Sequence, residues 1–100
     1  MKKLFISQPM KGKTDKEILA ERRRAVKSAE ERLSEPIEVI ESFFQNVPTN
    51  AKPLWFLGKS LELLSAANIA YFVKGWKEAR GCRIENLCAI EYGIEIITED

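Results

Sequence analysis

The chain of 100 residues contains no histidine. That absence excludes a Ser-His-Asp triad, a Cys-His pair and any histidine-ligated metal site built within one chain. Cysteine is nearly absent as well, with only Cys82 and Cys88 present. Six residues apart on a helix, they point to different faces, which argues against a disulfide. They also lack the CxxC spacing of a zinc or redox site, so no metal is expected. No apolar run is long enough to span a bilayer or to form the core of a signal peptide, because only Leu4-Phe5-Ile6 separates Met1-Lys2-Lys3 from the polar Ser7-Gln8-Pro9. Neither sign of charge dominates: 16 Lys and Arg against 15 Asp and Glu leave a net charge of +1. A binder of polymeric nucleic acid usually carries a basic stripe instead. Glycine and proline are sparse, and no linker, repeat or low-complexity segment interrupts the chain. The expectation is one cytoplasmic domain, residues 1–100, with a single core and no membrane partner.

What is present is an alternation of short apolar runs and longer amphipathic ones. Lys3 to Ser7 reads as a first strand, continuously apolar at Leu4, Phe5 and Ile6, as suits a strand covered on both faces. A loop through Pro9 and Gly12 follows. Thr14 or Asp15 then caps a helix, with Glu17 placed for a capping box. Ile18, Leu19, Arg22, Ala25, Val26, Ala29 and Leu33 form its apolar stripe, interrupted by Arg22. Arg22-Arg23-Arg24, interleaved with glutamates, reads as a solvated helix face. The helix should end near Ser34, ahead of Pro36. Ile37 to Glu41 is a second strand, Ser42 to Pro53 a loop, and Leu54 to Ala67 a second helix burying Leu54, Leu57, Leu61 and Leu64, with Trp55 a further candidate for that side. Ile69 to Val73 is a third strand. A glycine-bearing loop leads to a third helix over Leu87 to Gly93, with Gly93 as its terminator. Ile94 to Ile97 is a fourth strand. The β-α-β-α-β-α-β order predicts an α/β fold: a three-layer, Rossmann- or flavodoxin-like arrangement of four or five parallel strands with helices on both faces.

In such a sheet, ligands bind outside the carboxyl ends of the strands. The loops there carry Ser7-Gln8-Pro9-Met10, then Ser42-Phe43-Phe44, then Lys74 through Glu85. They offer short polar groups, aromatic faces, cations and one carboxylate. Glu85 is expected in the first turn of the third helix, where exposed N–H groups would hold it ionised, as a nucleophile requires. The same position simply favours the helix dipole in many proteins. Phe43 and Phe44 could equally be satellite core, Trp76 a packing residue and Arg80 a solvated charge. Cys82, at a helix start, is a candidate for a lowered thiol pKa, although isolated cysteines mostly pack. Cys88 is expected in the core.

Three segments make the chain recognisable: Phe5-Ile6-Ser7-Gln8-Pro9-Met10, Ser60 through Phe72, and Gly81-Cys82-Arg83-Ile84-Glu85-Asn86-Leu87-Cys88-Ala89-Ile90-Glu91-Tyr92-Gly93. Over nearly its whole length the chain resembles the nucleoside 2-deoxyribosyltransferase-like superfamily, in a short DUF4406-type form found in bacteria and their phages. The last segment matches the family's Gly-x-x-x-Glu-x-x-x-Ala-x-x-x-Gly helix and is the most specific. The resemblance implies that Glu85 attacks the anomeric carbon of a nucleoside, through a glycosyl-enzyme ester and an oxocarbenium-like transition state. It implies that Ser7, Gln8, Pro9 and Met10 help to hold sugar or base. Gln8 and Asn46 are then ligand contacts, Phe43, Phe44 or Trp76 stack on a ring, Arg80 meets a phosphate, and Gly75 and Gly81 belong to the same edge. Relatives commonly place aspartates near Ser60 and Asn68, and this chain has only Asp15 and Asp100. The proton donor for a departing base is therefore missing from those motifs, with Glu78, Glu91 or a neighbouring subunit as alternatives. The implied partner is a nucleoside or nucleotide, with no cofactor needed. The competing expectation is a protein that binds such a ligand without turning it over. The cluster Leu54-Trp55-Phe56-Leu57 is too apolar for an exposed helix start and predicts a homodimer or higher oligomer.

Overall fold

A computed structural model describes residues 1–44 and 47–99. Four strands form one parallel sheet in the order β2-β1-β3-β4: β1 (Lys2–Ser7), β2 (Ile37–Val39), β3 (Ile69–Phe72) and β4 (Glu95–Thr98). The central pair is β1 and β3, in register from Leu4 opposite Ile69 to Ser7 opposite Phe72. β3 is buried throughout and β1 from Leu4 to Ser7, as their continuous apolar runs require. Period-two alternation then divides the core. Leu4, Ile6, Ile69, Tyr71 and Ile97 face Ala25 and Ala29 of α1 (Asp15–Leu33). Phe5, Ala70 and Phe72 face Leu64 of α2 (Pro53–Leu64) and Ala89 of α3 (Arg80–Glu91). The result is the three-layer Rossmann- or flavodoxin-like architecture that the element order implies.

Local signals set most boundaries. The Thr14 hydroxyl accepts from the Glu17 amide at 3.2 Å, and the Glu17 carboxylate accepts from the Thr14 amide at 3.0 Å, closing the capping box. α1 stops at Ser34, whose φ of 55° is left-handed, two residues before Pro36. α2 starts one residue early, with Pro53 in the first turn, where its missing N–H costs nothing. It ends at Leu64 rather than Ala67, because tight bonds from the Ala66 and Ala67 amides to Leu63 and Leu64 replace the helical ones. Leu54 is not buried as expected but 78 % exposed. Leu19 likewise leaves the stripe of α1 for its rim, at 41 % exposure.

The largest departure is α3, which begins at Arg80 and not at Leu87. A single 3-10 turn, Trp76–Glu78, occupies part of the expected loop, entered through Gly75 at φ 92°. Gly81 does not break α3, because it sits in the first turn, where amides have no intrahelical partner to lose. Cys82, Glu85 and Ala89 form the buried line that holds this longer helix on the sheet. Glu85 consequently lies in the second turn.

On the α1 side, Glu99 joins the ends of β3 and β4 to α1. It accepts from Tyr71 Oη at 2.6 Å, from Arg24 Nη2 at 2.7 Å and from the Lys74 amide at 2.9 Å. Burial alone would raise its carboxyl, but Arg24, Tyr71 and the Lys74 amide together hold it down at about 2. The stabilisation is therefore complete above the ordinary value of 4.5 and is lost as pH falls toward about 2. Urea midpoints followed across that window should fall steeply for the wild type. They should fall less for Glu99→Gln, which should begin from a lower midpoint at neutral pH.

Candidate functional site

A cavity of about 590 Å³ opens at the carboxyl end of β1, between the start of α3 and the first half of α2. Sheet geometry places its closed end. Ser7 is the last residue of β1 and is 2 % exposed. Its hydroxyl donates to Glu85 Oε1 at 2.5 Å. Ser60, on α2, lines the same cavity. The walls are mostly apolar: Ile6, Met10, Phe44, Phe56, Leu57 and Ile84. Phe44 meets Trp55 edge-on, with centroids 6.1 Å apart, and Trp55 meets Phe56 in the same way at 5.1 Å. Arg80 and Leu54, both exposed, stand at the mouth.

Position in the second turn changes the electrostatics of Glu85. The amides at the start of α3 do not hold it ionised. Burial raises its pKa, and the hydroxyls of Ser7 and Ser60 oppose that only in part. The carboxyl is thus more easily protonated than an ordinary glutamate. Cys82 also lines the cavity, 5 % exposed. Its thiol is not activated: burial above all, with Glu85 adding to it, pushes it up to about 11 against the opposing influence of the Ser7 hydroxyl. At neutral pH it is a packed thiol and not a nucleophile. Cys88 is half-buried and packs on the α2–α3 side of the core.

Of the residues singled out in the sequence, Ser7, Gln8, Pro9, Met10, Phe44, Arg80, Gly81 and Glu85 come together around this cavity. Phe43 is half-buried and does not line it. Gly75 and Trp76 lie elsewhere, in a shallow depression of about 240 Å³ with Lys74, Lys77 and Glu78. There the Trp76 ring packs on Phe72, with centroids 5.4 Å apart, so it is a packing residue at the sheet edge. Asn46 falls outside the described residues. Asn68 lies at the opposite edge of the sheet, where its Oδ1 accepts from the Lys3 amide at 2.7 Å. An aspartate at that position would not reach the cavity either, so the amide there removes nothing from this site. Glu78 and Glu91 do not line it, and Glu85 is the one carboxyl among the described residues that does.

Arg22 is the residue that sequence reasoning misplaced. It is not on a solvated face but 7 % exposed, against the sheet. Its Nη1 donates to Gln8 Oε1 at 3.1 Å and to Ser42 Oγ at 3.3 Å, and its Nη2 to the Ile40 carbonyl at 3.2 Å. The break that it makes in the apolar stripe of α1 was the signal. Arg24 is also engaged, with Glu99, which leaves Arg23 as the exposed, solvated member of the three. Ser60 gave no comparable signal, since a serine among leucines on a helix reads as its polar side.

Among the described residues, no group of three or more Cys, Asp or Glu side chains is arranged to hold a metal ion. Among the described residues, no helix is long and apolar enough to cross a membrane. Comparison with family models matches residues 2–98 to a domain of unknown function, DUF4406. No curated protein and no solved structure matches the chain.

Proposed function

The chain belongs to the DUF4406 family, and from that premise we propose that it cleaves the N-glycosidic bond of a nucleoside or nucleotide, with Glu85 as nucleophile. The observation that carries this reading is one buried carboxyl at the closed end of an apolar-walled cavity large enough for a nucleoside. In the reaction, an Oε of ionised Glu85 bonds to the anomeric carbon. The carbon–nitrogen bond breaks, its electron pair leaves with the base, and the base takes a proton from water. A second water or a second base then attacks the same carbon and frees the carboxylate. Positive charge developing on the sugar favours the ionised form that burial disfavours, so the carboxyl interacts most strongly where the barrier lies. No cofactor is required, and the ligand is a small molecule.

A second reading is favoured by the single carboxyl. Retaining glycoside hydrolysis ordinarily uses two, and a buried, hydroxyl-bonded carboxyl serves equally well to bind a ligand without cleaving it. Chromatography separates the two. Wild type and Glu85→Gln are incubated with nucleosides, deoxynucleosides and their 5′-monophosphates, with and without a second free base. Free base or exchanged nucleoside formed only by the wild type supports the enzyme. Ligands recovered intact, and retained by both proteins, support the binding protein.

The exposed Leu54 beside half-buried Trp55, Phe56 and Leu57 supports a homodimer across the start of α2. Light scattering at high micromolar concentration should give twice the chain mass, and a monodisperse monomer would rule this assembly out.

A further inference from the structure

Arg22 lies in the middle of the α1 face that packs on the sheet. A desolvated guanidinium normally sits against a carboxylate, because an unpaired buried cation is costly. Among the described residues Arg22 makes no ion pair. Its donors go instead to uncharged oxygens on two strand ends: Gln8 after β1, and Ile40 and Ser42 after β2. α1 and both loops therefore meet at one side chain. Gln8 and Ser42 line the cavity, and their remaining donors are already committed. Gln8 Nε2 donates to the Ile18 carbonyl at 3.2 Å and to Glu21 at 3.1 Å. Ser42 Oγ donates to the Ile6 carbonyl at 3.3 Å.

From this arrangement we infer that Arg22 is a positioning residue for the cavity. It locks Gln8 and Ser42 into the wall, so that a ligand meets Ser7, Ser60 and Glu85 as the polar groups of the closed end. Gln8 is thereby a wall residue and not a ligand contact. The inference rests on reading this cavity as the ligand site, but not on the reaction assigned to it. The planar fork is what the role needs, since it spans two loops at once. A lysine would supply the charge from a single point and leave at least one partner without a donor. Once Gln8 and Ser42 loosen, water gains access beside Glu85.

The test uses Arg22→Met and Arg22→Lys in the full chain. It reads thermal stability, hydrogen exchange of the Gln8 side-chain amide, and the carboxyl titration of Glu85 by NMR. Both variants should remain folded. Gln8 exchange should rise by about tenfold or more. Glu85 should titrate closer to the ordinary carboxylate range, because water relieves the burial that raises it. Lysine should not rescue either readout. Unchanged exchange and titration in folded Arg22→Met would overturn the inference. If Arg22→Met and Arg22→Lys do not fold, Ser42→Ala decides: it removes one partner and keeps the charge. The same two readouts must then move in the same direction, or Arg22 is only an element of the fold. Neither readout involves a substrate, so an inactive protein in the nucleoside panel leaves this test intact.

Discussion

Glu85→Gln is expected to cut the turnover of any nucleoside that the wild type cleaves by at least about a thousandfold, because an amide cannot form the glycosyl ester. The same substitution should not weaken the fold. Glutamine keeps the shape and still accepts from Ser7, while the cost of burying a charge disappears. Near neutral pH the variant should be more stable by on the order of 1 kcal/mol. The pH dependence has a definite sign. The folded-state pKa of Glu85 lies above its ordinary value of 4.5, so the native chain binds the extra proton between the two values. Wild-type stability should therefore fall as pH rises through that window and stay lower above it. Glu85→Gln should lack that slope. Urea titrations across pH 4.5 and upward, beside the turnover assay, test both halves. A variant that loses activity and stability together would assign Glu85 to the fold alone.

Phe72→Ala should cause the largest loss of stability of the substitutions considered. Phe72 is fully buried on the α2–α3 side of β3, with Trp76 over its ring and Leu64 and Ala89 in the same cluster. Its truncation leaves a cavity that a parallel sheet held on both sides cannot close. The cost should be about 3–5 kcal/mol. For a domain stabilised by about 5–15 kcal/mol in all, that is a large share of the whole. Leu54→Ala is the control: with Leu54 78 % exposed, the change should be within about 0.5 kcal/mol for the monomer. Comparable urea midpoints for the two variants would contradict this layering of the core.

These contrasts mark where the sequence was readable. Leu4-Phe5-Ile6 and Ile69 through Val73 announce central strands, because only burial on both faces tolerates unbroken apolar runs. Thr14 and Glu17 announce a helix start through chemistry completed within four residues. α3 was harder to place, because Arg80, Gly81 and Arg83 resemble a loop, and its first turns are selected by contacts with strands far away in the chain. Arg22 was hidden for the same reason: its partners, Gln8, Ile40 and Ser42, belong to two other segments. Charge on a helix ordinarily signals solvent, and only tertiary placement reverses that reading. The site was legible at Ser7 and Glu85 through a motif. Of its supporting residues, Arg22 left a trace as the break in the apolar stripe of α1, and Ser60 was legible only in three dimensions.

The placement of β1 in the sheet has a consequence for how the chain is made. The strand synthesised first is flanked by β2 on one side and β3 on the other, so it leaves the ribosome with both its edges unpaired. It can acquire its second neighbour only once Ile69 to Phe72 has emerged. Ser7 waits longer still, since Glu85 follows it by 78 positions. Such distant closures slow folding, because chain entropy is lost before the contacts that offset it are made. The cavity is therefore among the last features to appear. Nascent chains stalled before α3 would hold a partly built sheet with an exposed apolar edge, open to the wrong partners and without the cavity's carboxyl.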